Sequence, residues 1–110
     1  DIGAREAAIA ILETADVYIH LANCCLIAGS FTSVRAHLEK AYLIQEKSLA
    51  PDHFLTSYHL LASGDLAKAQ GDVELARQFY TKAIKIFGET AVPQHTDWQL
   101  FKDKGTAVAP

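Results

Sequence analysis

The sequence predicts an all-α fold, a superhelical array of antiparallel helix pairs with about two full repeats and a terminal capping helix. Three observations predict it. Shifted by 42 positions, residues 29–53 fall on residues 71–95 with seven identities, Gly29/Gly71, Arg35/Arg77, Lys40/Lys82, Ala41/Ala83, Ile44/Ile86, Pro51/Pro93 and His53/His95. Chance supplies about one or two in such a window at ordinary composition, so the chain repeats. Apolar residues recur at three- and four-residue steps, the period of a half-buried helix. Glycine interrupts these runs at matching phases, and no strand-like alternation competes with them.

Residues 4–28 carry no loop signal, so the first helix is expected to be unusually long, with Tyr18, Leu21, Ala22 and Cys25 as its packing stripe. Its most apolar run, Val17–Gly29, is broken by His20 and Asn23 and falls short of the ~20 residues of a membrane span; it reads as a buried helix. Gly29-Ser30 ends this helix, because glycine takes the left-handed cap conformation at little cost. Ser30 or Thr32 then caps a second helix, which packs through Val34, Leu38, Ala41 and Tyr42 and runs to about Ser48. Pro51 stops helical continuation and Asp52 can cap the third helix.

The second unit repeats the plan. Leu60, Gly64 and Ala67 form the first stripe and Gly71-Asp72 the turn. Val73, Ala76, Phe79, Tyr80, Ala83 and Ile84 form the second stripe, and Gly88 ends the helix. A linker, "ETAVPQ", leads to a partial third repeat or cap over 94–104 with Trp98 and Phe101 facing inward. The expected organisation is one domain over 1–110, with repeat 1 at about 11–50 and repeat 2 at about 52–90. With no methionine and Asp at position 1, the chain is expected to be a piece of a longer protein.

These residues resemble the tetratricopeptide repeat. The pattern is carried by Tyr18, Leu21, Ala22, Cys25, Val34, Leu38 and Ala41 in the first unit. In the second it is carried by Leu60, Ser63, Gly64, Ala67, Ala76, Tyr80 and Ala83, and Gly29 and Gly71 take the interhelix turns. The 42-residue period and the stretch His37–Phe54, with its "APDHF" loop, are similar to the kinesin-light-chain type of that repeat. Cys25 and Ala67 stand where the family usually has an aromatic, Val34 where it has a small residue and Ser63 where it has Leu. The resemblance implies a non-catalytic scaffold that binds a peptide or protein segment in a concave groove lined by the first helix of each pair. The groove candidates, taken as positions off the packing stripes, are Asp16, Ile19, Asn23 and Leu26, then Tyr58, Leu61, Asp65 and Lys68. A terminal-carboxylate clamp is disfavoured: it wants Lys at Ile19 and Asn at Ala62, and only Asn23 fits. Asp16 and Asp65 favour a partner with a basic residue, and Asp65→Ala is expected to leave the fold intact.

Other chemistries have less to stand on. The Asp52-His53 pair lacks an oriented partner, a nucleophile and a pocket, which catalysis requires; Pro and His recur with the period, so the pair reads as a cap and loop, and no enzyme is expected. His20 and Cys24 lie four apart, as two metal ligands on one helix face would, but structural zinc takes four ligands and no second pair at matching spacing exists. No metal and no cofactor are expected. The net charge of −3 is spread without a basic cluster, which argues against nucleic acid, and no membrane association is expected. Adjacent Cys24 and Cys25 rarely bridge each other, so a reducing, cytoplasmic location is expected. A second reading is an assembly or regulatory domain, a homo-oligomer formed through exposed repeat ends.

Overall fold

The computed structural model describes residues 2–48, 54–90 and 97–108. Among the described residues there are five α-helices, α1 (Ile2–Ile27), α2 (Phe31–Ser48), α3 (Phe54–Ala69), α4 (Val73–Thr90) and α5 (Trp98–Ala107), and no strand. The chain divides into two compact units, Asp1–Pro51 and Asp52–Pro110. In the first, α1 packs on α2; in the second, α3 packs on α4 and α4 on α5. The expected markers Pro51, Asp52, His53, Pro93 and His95 lie outside the described residues.

The repeat is written into the hydrogen bonds. After α1 the amide of Ser30 donates to the Cys25 carbonyl (2.9 Å) and that of Gly29 to Leu26 (3.0 Å); after α3 the amide of Asp72 donates to Ala67 (2.9 Å) and that of Gly71 to Lys68 (3.0 Å). Each pair closes a Schellman-type cap, and the two caps are 42 residues apart. The cap needs a left-handed residue, supplied by Gly29 at φ +80° and Gly71 at φ +87°. The next helix starts at once: Asp72 Oδ1 accepts from the Leu75 amide at 3.0 Å, an N-cap for α4.

Unit 1 buries Ala15, Ile19 and Ala22 of α1 and Val34, Leu38 and Ala41 of α2, with Gln45 beside them. This corrects the sequence reading of α1. Ile19, placed in the groove, is buried, while Leu21, placed in the packing stripe, is 41% exposed. The helix carries apolar residues on every side, so periodicity alone leaves its phase undetermined; the small residues Ala15 and Ala22, which let α2 approach, decide it. Nor is α1 a buried helix, since Ile2, Ile9, Ile11, Val17 and Ile27 are all exposed. On α2, Tyr42 is exposed where the sequence placed it inside.

Unit 2 has the larger core. Leu60, Leu61 and Ala67 of α3 meet Ala76, Tyr80, Ala83, Ile86 and Phe87 of α4, and Phe101 and Val108 close the cluster. A Cβ on Gly64 would overlap the Tyr80 ring. The same positions one period earlier are Ala22 and Leu38, so the larger Tyr80 is matched by the smaller Gly64. Val73 is exposed and α4 continues past Gly88 to Thr90. Gly88 serves packing instead, since a Cβ there would sit 3.1 Å from the Trp98 ring.

Candidate functional site

On α1 the groove candidates Asp16 and Asn23 stand exposed, Leu26 is half-buried and Ile19 is buried. Asp16 Oδ2 lies 3.2 Å from His20 Nε2, one helical turn on, with both side chains largely in solvent. His20 is thus paired with Asp16. Among the described residues no group of three or more His, Cys, Asp or Glu is placed to hold a metal ion. Below this face Tyr18 stacks on His37 of α2 (6.0 Å between rings), and Lys40 Nζ lies 5.5 Å over the Tyr18 ring.

On α3 the four candidates separate differently. Lys68 is exposed, Tyr58 and Asp65 are half-buried and Leu61 is buried in the unit 2 core. Leu61 is the repeat equivalent of Ile19, so the two buried candidates occupy one structural position, a packing position in both units. Tyr58 and Asp65 face α5. The Tyr58 hydroxyl donates to Asp97 Oδ2 at 2.6 Å, and its ring meets Phe101 edge-on at 5.4 Å and Phe87 at 6.0 Å. Phe87 in turn stacks on Phe101 at 4.2 Å and on Trp98 at 5.7 Å.

Asp65 is the polar centre of this arrangement. Its Oδ1 accepts from the Tyr80 hydroxyl at 2.5 Å, and Lys104 Nζ donates to Oδ1 at 2.8 Å and to Oδ2 at 3.0 Å. Burial first, then the hydrogen bond to Asp65 and the charge of that carboxylate, raise the Tyr80 phenol far above its ordinary pKa, so it stays a donor at any physiological pH. Asp65 is therefore committed within unit 2, joining α3 to α4 and α5. On the sequence reading Asp65→Ala leaves the fold untouched; in this geometry removal would orphan a buried hydroxyl and a half-buried ammonium, so it is expected to cost stability. Lys104 was not singled out from sequence, and nothing local signals it, because its partner lies 39 residues away.

The helix pairs and their glycine turns agree with the comparison to known families. Residues 13–89 match the family model described as tetratricopeptide repeat. The chain belongs to the tetratricopeptide repeat family. No curated protein and no solved structure matches the chain. In tetratricopeptide terms α1 and α3 are the first helices of successive repeats, and α2 and α4 the second helices. Tetratricopeptide repeats are generally protein–protein interaction modules and typically non-catalytic scaffolds.

Proposed function

We propose that this chain is a non-catalytic scaffold that binds a peptide or protein segment along its repeat-leading helices, α1 and α3, and that its repeats are of the 42-residue, kinesin-light-chain-like type. The carrying observation is the division of labour on α1. Ala15, Ile19 and Ala22 are committed to packing, while Asp16 and Asn23 of the same helix stand in solvent. A helix that keeps polar groups exposed beside a packed stripe offers hydrogen bonds to an incoming backbone without loss of its own core. On α3 the exposed candidate is Lys68, while Tyr58 is turned to α5. The subtype reading rests on the period and on the His37–Phe54 stretch.

The test is selection of binding segments from a displayed peptide library, followed by Asp16→Ala, Asn23→Ala and Lys68→Ala. Each change should weaken the selected segments several-fold, about 1 kcal/mol apiece, with the melting temperature unmoved. Segments that bind all three variants as tightly as the parent would place the binding surface elsewhere.

A further inference from the structure

We propose that the outward stripe of α1 docks a basic amphipathic helix of a partner protein. This builds on the scaffold reading and adds a particular surface of unit 1 and the chemistry of its occupant. Ile2, Glu6, Ile9 and Glu13 succeed one another at four- and three-residue steps, and Asp16 and Val17 continue the row. At 100° per residue the six lie within an arc of about 100°, facing away from the buried Ala15, Ile19 and Ala22. All six are exposed, with Ile2 at 73%, Ile9 at 55% and Val17 at 54%. The helix that carries them has 26 residues against 18 in α2, about 39 Å against about 27 Å, so its leading turns outrun the helix it pairs with.

The charges on this row decide among occupants. By length and composition α1 is apolar enough to cross a bilayer, but the apolar stretch begins after Glu6 and a span would still carry Glu13 and Asp16 into hydrocarbon, while an anionic membrane surface would repel all three carboxylates. A second copy of α1 would bring three further carboxylates with only Arg5 as the opposing cation, and like charges set face to face suppress pairing. A helix with Leu or Ile at three- and four-residue steps and Lys or Arg beside them meets both halves of the row. Its apolar side covers Ile2, Ile9 and Val17, and its cations reach the carboxylates between them.

The experiment uses the full chain and two labelled synthetic helices of about five turns that share a leucine stripe and differ only in Lys or Glu at the polar positions. Fluorescence anisotropy at physiological salt should show the Lys helix binding at least about tenfold more tightly than its Glu twin. The triple variant Glu6→Lys, Glu13→Lys, Asp16→Lys should reverse that preference, and Ile9→Ser should weaken the Lys helix. The control variant Glu46→Lys, Glu89→Lys, Asp103→Lys, which makes the same change in net charge at other exposed sites, should leave the preference standing. Equal effects of the two triple variants would mean non-specific attraction and overturn the proposal. Equal binding of both helices to the parent would overturn the charge assignment while leaving the scaffold reading to its own library test. A dimer in sedimentation that Ile9→Ser abolishes, or pelleting with phosphatidylserine vesicles, would give the face to a second copy or a bilayer and likewise overturn it.

Discussion

Asp65 shows how a residue with an ordinary surface profile becomes structural. Two donors from two other helices converge on it, one buried and one half-buried. Asp65→Ala should therefore lower unfolding free energy by about 2 kcal/mol, measured by urea titration at neutral pH; a change within about 0.5 kcal/mol, the usual size for a surface substitution, would show the network to be idle. Tyr80 adds a pH signature. Its pKa is raised in the folded state above the ordinary 10.0, so the unfolded chain loses the phenolic proton first. The contribution is complete below pH 10 and declines as pH rises beyond it. Tyr80→Phe should lower stability by about 1 kcal/mol at neutral pH and make the alkaline decline shallower than in the parent. A decline of unchanged slope would mean that another group governs it. The glycines separate two requirements at the same scale. Gly29 has nothing within 4 Å of a would-be Cβ but a φ of +80°, whereas Gly64 sits against the Tyr80 ring. Gly29→Ala should cost about 1 kcal/mol through backbone conformation alone, and Gly64→Leu should cost several times that through overpacking, in the same denaturation assay.

At the scale of elements, the five helices and their turns were legible because each signal was local: a glycine, a three-four stripe, a phase that recurs after 42 residues. The facing of α1 was not legible. Ile19 and Leu21 are both large, apolar and central in the helix, and only the partner helix chooses between them. The half of the candidate site on α3 was misread for a related reason. Tyr58 and Asp65 lie off the α3–α4 stripe and so looked outward, but α5 covers them through Phe101 and Lys104. Sequence named the helix and its inward aromatics without saying which neighbour they would meet. The Glu6 and Glu13 positions are legible in principle, since charges at helical steps beside Ile2 and Ile9 mark an exposed stripe, and they lie on the turns of α1 that precede the groove positions beginning at Asp16. The consequence for α5 is testable. Phe101 is fully buried and touches both Tyr58 and Phe87, so Phe101→Ala should cost about 3–5 kcal/mol. Leu100→Ala, at an exposed neighbour, should cost under about 1 kcal/mol. Similar losses from the two would mean that α5 is not seated by its aromatic face.

Across the whole molecule, packing is unevenly shared. Among the described residues unit 1 buries six apolar side chains, three of them alanine, whereas unit 2 buries twelve, including Tyr80, Phe87 and Phe101. Burial of a large side chain stabilises by about 1.5–3 kcal/mol and of an alanine by far less, so the protection each helix receives from its own unit differs in kind. Unit 2 adds a third helix, an aromatic cluster and the Asp65 network; unit 1 has one helix–helix contact and a first helix that outlasts it. Native-state hydrogen exchange should resolve this as a gradient. The slowest amides are expected in α3 and α4, intermediate ones in α2 and the 15–26 part of α1, and the fastest helical amides in α1 before Leu12. Uniform protection along α1 would mean that its leading turns are held by contacts beyond those of unit 1. The gradient bears on function because surfaces that receive partners belong to the less stable part of a fold. A partner helix laid on Ile2, Ile9 and Val17 would supply unit 1 with the apolar cover that α5 gives unit 2, so protection of residues 2–12 should rise when the Lys-bearing helix is added and stay unchanged with its Glu twin.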